Sequence, residues 1–243
     1  MNKNKQIILS IILLAIAIIY FGLSPLDINI QNKLYNFNTH TWILGHNEQP
    51  YRLIFYIGAK RLIIVFGLVF LFSLFIFRKT NLIKSYKKGI IIVVLSLILV
   101  PSAVGELKKD TNMPCPKNIM LYGGALPQTK VWEAFPKKYK NVRIRCWPAG
   151  HASGGFALLS LLFLFKKRRN QIFAFILVQA FAWSMGIYKM LIGDHFFSHN
   201  VITMILAWLI ILIIAKIVYF KDDRLDKKLH SKIRKGIKIE KSA

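Results

Sequence analysis

Residues 146–155 have the sequence CWPAGHASGG, in which a loop stiffened by Pro148 leads into a long apolar segment and puts His151 at a helix start. The small residues around His151 leave the backbone open, so N–H groups at the helix start can face a bulky anion. Small residues at the start of a membrane helix also permit close helix packing. This stretch alone leaves two interpretations, an anion cradle and a packing surface.

The composition of the whole chain is that of a membrane protein. Its 243 residues are 55% hydrophobic, yet the formal net charge is +25 at pH 7. Such a combination indicates apolar spans separated by basic segments. Apolar segments long enough to cross a bilayer occur near residues 6–24, 54–77, 89–105, 151–165, 171–192 and 201–220. We therefore predict an all-α integral membrane protein built as a bundle of about six transmembrane helices.

The positions of the basic residues predict the topology. Basic loops follow the second and fourth spans, and the chain beyond Phe220 is basic as well. Because such segments stay in the cytoplasm, both termini are predicted to be cytoplasmic. Residues 1–220 then form the transmembrane domain, with an outer loop at 106–150, and residues 221–243 form a basic cytoplasmic tail. This tail either lies on anionic lipid of the inner leaflet or is simply solvated.

The outer loop at 106–150 breaks this charge rule. It carries nine basic residues against three acidic ones, although it is predicted to lie outside. Long loops tolerate such an excess without any function. The loop ends at His151, however, and an electropositive funnel would attract an anionic substrate. We favour the funnel.

The two cysteines, Cys115 and Cys146, both fall in this outer loop. The outer side of a bacterial inner membrane is oxidising, so we predict a disulfide between them. A closed loop of this length would stabilise the fold by roughly 3 to 4 kcal/mol. Two free thiols or a metal site are the alternatives.

A second chemically rich stretch, YKMLIGDHFFSHN at 188–200, lies in the outer turn between the last two spans. The predicted topology brings Lys108, His151, Lys189 and His195 to one membrane boundary. One neutral imidazole can attack phosphorus while cations and helix-start N–H groups hold the phosphoryl oxygens. A second, protonated imidazole can give its proton to the leaving oxygen. These residues therefore predict phosphoryl transfer through a phosphohistidine, with no metal or other cofactor.

Three motifs in this order resemble the signature of the type 2 phosphatidic acid phosphatase (PAP2) superfamily. They are Lys108 followed by Cys115-Pro116, then Pro148-Ala149-Gly150-His151, then Lys189 with His195 six residues later. The resemblance implies a six-span helical bundle with His195 as the nucleophile and His151 as the general acid. It also implies that Lys108, Lys189 and the backbone at Gly150 hold the phosphate. The Cys-Pro variant resembles a bacterial, lipid A phosphatase-like branch.

Several positions depart from the family pattern. Cys115, Ala149, Tyr188 and Lys189 replace two arginines and two serines, so phosphate donors are lost. Arg143, Arg145 or Ser153 could replace those contacts.

The family aspartate that orients the nucleophile falls on His199, with Asn200 beside it. We expect one of these two to hold His195. Asp194 is the only nearby carboxylate, but adjacent residues usually point apart, so it is the weaker candidate.

The predicted function is a lipid phosphatase of the bacterial inner membrane with its active site facing the periplasm. The substrate is a phosphomonoester or diphosphate of a lipid A-type, polyprenyl or phosphatidyl lipid, and no nucleic-acid partner is expected. A phosphotransferase would share the same residues. Two further alternatives are an inactive protein that keeps the fold, and a metal-dependent hydrolase whose ligands are His195 and His199 with Asp194 or His151.

Overall fold

The computed structural model describes residues 3–111, 113–133, 136–139 and 142–240, and beyond residue 220 it describes the backbone alone. The described chain forms seven α-helices and one small hairpin. The helices are α1 (Lys3–Leu23), α2 (Leu26–Asn32), α3 (Ala59–Ile76), α4 (Asn81–Asp110), α5 (Gly150–Ala157), α6 (Arg168–Leu191) and α7 (Phe197–Glu240). The hairpin pairs β1 (Tyr35–Asn36) with β2 (Thr41–Trp42) in antiparallel register.

The predicted all-α membrane architecture is confirmed. Within the described residues, five helical segments are long and apolar enough to cross a bilayer, namely Lys3–Leu23, Leu53–Ile76, Asn81–Asp110, Arg168–Leu191 and Phe197–Phe220. The second begins with a π-helical turn at Leu53–Gly58 that continues directly into α3. Large apolar side chains on its outer face, such as Val65 and Val69, are exposed in the isolated chain and suit contact with lipid.

The fourth predicted span is short and lies at the centre of the bundle. It consists of α5 followed by a 3-10 segment at Leu158–Phe163, about 24 Å in all. Phe156 is fully buried, and α5 packs against α4, α6 and α7. At Gly155 a Cβ atom would lie 2.9 Å from the Cα of Ala182, so this glycine permits the close approach of α6. Neighbouring helices enclose this short segment, which explains how it can lie inside a thicker bilayer.

Helix α4 (Asn81–Asp110) is longer than the apolar segment at 89–105 from which a span was predicted. Thr80 caps its start by accepting a hydrogen bond from the Ile83 N–H at 3.4 Å, and the helix continues to Asp110. Polar residues at both ends extend the helix beyond its apolar part. Lys108 therefore lies in the last turn of a helix, and the loop predicted at 106–150 begins after residue 110.

Candidate active site

The candidate site lies at the end of the bundle where α4 and α6 end and α5 and α7 begin. Lys108 is in the last turn of α4 and Lys189 is in the last turn of α6. His151 is in the first turn of α5, and His195 lies two residues before α7. Because consecutive helices run in opposite directions, the ends of α4 and α6 and the starts of α5 and α7 lie at the same end of the bundle, and the four residues lie there together.

Lys108 lies against the first residue of α5. A Cβ atom on Gly150 would be 3.2 Å from the Lys108 Nζ, so the missing side chain lets the ammonium group approach the start of the helix. The first N–H groups of an α-helix have no partner within the helix. A lysine and a helix start therefore converge on one spot, and both favour an anion.

Tyr56 connects His151 with Lys189. Its ring stacks on that of His151 with centroids 4.1 Å apart and an interplanar angle of 3°, and the Lys189 Nζ lies 4.4 Å from the same ring centroid. The Nε2 of His151 is buried and has no hydrogen-bond partner among the described residues. Tyr56 comes from the π-helical turn before α3. Sequence reasoning missed Tyr56 because it lies outside the three motifs, and nothing in the sequence indicates that it contacts His151.

A glycine turn ends α6 and positions His195. Gly193 has φ +73°, the left-handed conformation that often ends a helix. The N–H groups of Asp194 and His195 both donate to the Lys189 carbonyl oxygen, at 2.8 and 3.2 Å. This turn holds the histidine next to the last residues of α6.

Asp194 forms two close ion pairs. Its carboxylate oxygens lie 2.7 Å from Lys189 Nζ and 2.7 Å from Lys117 Nζ, and His46 Nδ1 lies 3.8 Å away. Burial raises the pKa of Asp194, but the charge of Lys189 and contacts with Lys117 outweigh it, so the pKa is lowered overall. The carboxylate therefore stays ionised and faces these cations, so its direct contacts do not include the His195 ring.

His199 holds the ring of His195. Their Nδ1 atoms are 3.3 Å apart, and His199 is fully buried. When the His195 Nδ1 carries the proton, its Nε2 keeps a free lone pair. Burial lowers the pKa of His195 well below its ordinary value, and the neighbouring His199 and Lys108, which disfavour a second positive charge, lower it further. The imidazole is therefore neutral at pH 7, as a nucleophile requires.

Asn200, the other candidate for orienting His195, faces elsewhere. A Cβ atom on Gly186 would lie 2.8 Å from the Asn200 Oδ1, and the Asn200 Nδ2 lies 3.4 Å from the Phe196 carbonyl oxygen. The amide thus packs against α6. Between the two alternatives, the geometry favours His199.

The three residues proposed to replace lost phosphate contacts differ in burial. The Ser153 hydroxyl is buried and donates to the Gly150 carbonyl oxygen at 2.6 Å. Arg143 and Arg145 have exposed side chains.

The structure joins Cys115 and Cys146 in a disulfide with Cα atoms 5.3 Å apart. The Cys146 sulfur lies 3.5 Å from the Nδ1 of His195. Cys146, His195 and His199 could together offer metal ligands, since their donor atoms lie within 4.8 Å of one another. A disulfide sulfur has no thiolate to offer, so two imidazoles remain, fewer than a zinc site uses.

Comparison with known proteins identifies the family. A family model described as the PAP2 superfamily matches residues 89–223, more than half of the chain, and this range includes Lys108, His151, Lys189 and His195. The chain belongs to the PAP2 superfamily. The resemblance seen in the sequence is confirmed, and the protein is a membrane phosphatase of this superfamily.

One curated relative adds a more specific likeness. The lipid A 4'-phosphatase of Francisella tularensis subsp. novicida (strain U112) is 27% identical over 226 residues, which cover 90% of this chain and 98% of the relative. No solved structure matches the chain.

Asp27, outside the PAP2-matching range, caps the helix that follows His195. Its carboxylate accepts a hydrogen bond from the Ser198 N–H at 2.8 Å and a second from the Ser198 hydroxyl, at the start of α7. On the same short helix, Gln31 Nε2 donates to the Met190 carbonyl oxygen at 2.9 Å. Helix α2 thus holds the end of α6 and the start of α7, on either side of His195.

Sequence reasoning missed this clamp, although one signal was available. Asp27 is the only acidic residue before Glu48, and it stands beside an apolar span. Burial raises the pKa of Asp27, and the hydrogen bonds from Ser198 partly counter that rise. Thr203 is a second missed contact. Its hydroxyl accepts from the Ala149 N–H at 2.8 Å and so ties the start of α5 to α7.

Proposed function

We propose that this PAP2 protein is a metal-independent lipid phosphatase that works through a phosphohistidine at His195. The observation that carries the proposal is the gathering of two lysines, two imidazoles and a helix start at one end of the bundle. Lys108 lies beside Gly150, while His151 and Lys189 share the ring of Tyr56. A phosphate monoester dianion suits such a set of donors.

The proposed first step forms a bond between the His195 Nε2 and phosphorus and breaks the bond between phosphorus and the lipid oxygen. This step requires His151 in its protonated form, which the negative charge of a bound phosphate would favour. His151 then gives its proton to that oxygen, so a lipid alcohol leaves. Water then attacks the phosphohistidine and gives a proton back to His151. Inorganic phosphate leaves, and both imidazoles return to their starting states.

Each cation has a defined part in this scheme. Lys108 and the N–H groups at Gly150 and His151 would hold phosphoryl oxygens, on which negative charge increases in the transition state. Lys189 would contribute as well, but it is paired with Asp194 at 2.7 Å. Phosphate would therefore compete with the Asp194 carboxylate for Lys189. This competition limits how tightly the product phosphate is held.

A membrane lipid is the substrate class that these features support. The site lies at the ends of spanning helices, where a lipid head group resides, and the curated relative is named for lipid A. We propose a lipid A-type phosphomonoester as the first substrate to test, with polyprenyl diphosphate and phosphatidate as comparisons.

The direct test measures phosphate release by the purified protein in detergent micelles. His195→Ala and His151→Ala should each lower kcat by about 10³-fold or more. His40→Asn is the matched control, because His40 is exposed and has φ 54°, which asparagine tolerates. EDTA should leave the rate unchanged. Full activity in His195→Ala would overturn the mechanism.

Two further measurements sharpen this test. A radiolabelled lipid phosphate should transfer its label transiently to the wild-type protein and not to His195→Ala. With an acceptor lipid present, recovery of the label as free phosphate supports a hydrolase, and recovery in the acceptor supports the phosphotransferase instead.

We also propose that the His195 end of the bundle faces the periplasm of a bacterial inner membrane. A cysteine introduced at the exposed Lys138 should react with a membrane-impermeant maleimide in spheroplasts. A cysteine at the exposed Arg169, at the other end of the bundle, should react only after lysis. The reverse pattern would contradict this orientation.

A further inference from the structure

A large cavity lies at the opposite end of the bundle from His195. It has a volume of about 930 Å³ and is open on one side. It is lined by the starts of α1, α4 and α6, by the segment from Leu162 to Lys166, and by Trp208 and Tyr219 of α7. The segment that follows α5 therefore forms one wall of this cavity, while the start of α5 carries His151. The cavity is separate from the candidate active site.

Among the described residues, the five charged side chains that line the cavity are all cationic. The five are Lys3, Lys84, Lys88, Lys166 and Arg168. The start of α6 at Arg168 adds the positive end of a helix dipole. An anion is therefore the ligand that this wall favours.

Several of these cations are held against the wall by aromatic rings. The Lys3 Nζ lies 3.4 Å from the centroid of the Tyr219 ring, and the Lys88 Nζ lies 5.6 Å from the same centroid. The Lys166 Nζ lies 5.3 Å from the centroid of Tyr86 and donates to the Ser85 hydroxyl at 3.0 Å. The Lys3 and Lys88 ammonium groups thus lie near one ring, and Lys166 is held by a second ring and a hydroxyl.

The other wall of the cavity is apolar and continues onto the outer surface of α6. Ile172 and Phe175 line the cavity, and 48% and 45% of their surface is exposed on that face of the bundle. Trp208 and Leu164 add to this wall. A ligand with both a charged head and hydrocarbon chains would match the two walls.

We propose that this cavity binds the phosphate head group of an anionic phospholipid from the leaflet opposite the active site. The general excess of basic residues on the cytoplasmic side of membrane proteins accounts for the number of cations. It does not account for their convergence on a cavity that has aromatic rings beside the cations and an apolar wall open to lipid. Basic pockets between transmembrane helices bind anionic head groups in this way.

Phosphatidylglycerol is the probe, because its phosphodiester carries one negative charge and is not a phosphomonoester or diphosphate substrate. Native mass spectrometry of the full chain in a non-ionic detergent would count bound lipids and give their affinity. Phosphatidylcholine, which has no net charge, should bind at least about tenfold more weakly.

The variant that tests the site removes three of its cations, as Lys84→Gln, Lys166→Gln and Arg168→Gln together. About a hundredfold loss of phosphatidylglycerol affinity is expected. The matched control is Arg78→Gln, Lys79→Gln and Arg169→Gln, which removes the same charge at the same end of the bundle from exposed residues that do not line the cavity. This control should stay within threefold of wild type, about 0.7 kcal/mol or less.

Equal losses in the two triple variants would overturn the proposal, because the binding would then be general surface electrostatics. Full competition by soluble glycerol phosphate, with no requirement for acyl chains, would also overturn it. If the triple variant fails to fold, as shown by thermal unfolding without lipid, the single variants Lys84→Gln and Lys166→Gln replace it and should each weaken binding about fivefold. The readout is binding, so it is independent of phosphatase activity.

Discussion

His199 offers the sharpest test of how His195, the proposed nucleophile, is positioned. Its Nδ1 lies 3.3 Å from the Nδ1 of His195, in the position where the superfamily pattern has an aspartate. His199→Ala removes that partner, whereas His199→Asp restores a carboxylate. The neighbouring Asn200→Ala removes a buried amide that faces Gly186 instead of His195.

The expected size of the effect follows from the change of charge at His195. Before attack the two neutral rings share one hydrogen bond, and its length of 3.3 Å is long for an N–H donor. During attack His195 gains positive charge, so the bond becomes charge-assisted and contributes about 1.5–3 kcal/mol. At about 1.4 kcal/mol per tenfold, His199→Ala should lower kcat by about 10- to 150-fold, with a smaller change in KM. His199→Asp should recover most of this loss.

The assay is phosphate release in detergent micelles, with kcat, KM and a pH profile for each variant. Asn200→Ala should lose less than about fivefold in kcat, a change expected of packing alone. In His199→Asp the added negative charge raises the pKa of His195, so the acid limb of the profile should move to higher pH. A kcat for His199→Ala within threefold of wild type would refute the assignment, as would an equal or larger loss in Asn200→Ala.

Three other perturbations test separate parts of the site. The pKa of His195 is lowered, and its protonated form cannot attack phosphorus. As pH falls, kcat/KM should therefore stay high and drop only below about pH 6.5. A drop that begins above about pH 7 would contradict this. Asp27→Ala should lower the free energy of unfolding in detergent by about 2–4 kcal/mol, because it leaves the buried start of α7 without its cap, whereas Asp27→Asn should cost less. Gly150→Ala places a methyl group against the Lys108 ammonium, so inhibition by vanadate, a phosphate-like anion, should weaken about tenfold. Gly154→Ala is the control, because its Cβ would meet only Ile63, at 3.4 Å, and vanadate inhibition should not change.

The positions of the spans could be predicted from the sequence because the signal is local. A bilayer requires about 20 consecutive apolar residues, and every such segment near the predicted positions forms a helix. The boundaries were less predictable, since α4 extends past its apolar part to Asp110. Hydrophobicity indicates the part of a helix that lies in lipid. It does not indicate where the helix ends in water.

The four main candidate residues could also be placed on one side of the membrane from the sequence. Successive spans run in opposite directions, so the end of one lies beside the start of the next. This rule brings Lys189 to His195 and Lys108 to His151 without any knowledge of packing. Motif order and spacing then indicated the superfamily, which the match over residues 89–223 confirms.

Only the tertiary structure decided which neighbours these residues have. His199 and Asn200 are adjacent in sequence, but successive residues on an α-helix point about 100° apart, so the rotation of α7 determines which one meets His195. Asp27 accepts a hydrogen bond from Ser198, 171 positions later in the sequence, and the Tyr56 ring stacks on His151 from a different helix. Hydrophobic pattern and spacing carry no record of helix rotation or of long-range contacts. These features arise from packing, which brings side chains from distant segments against His151 and against the start of α7 next to His195.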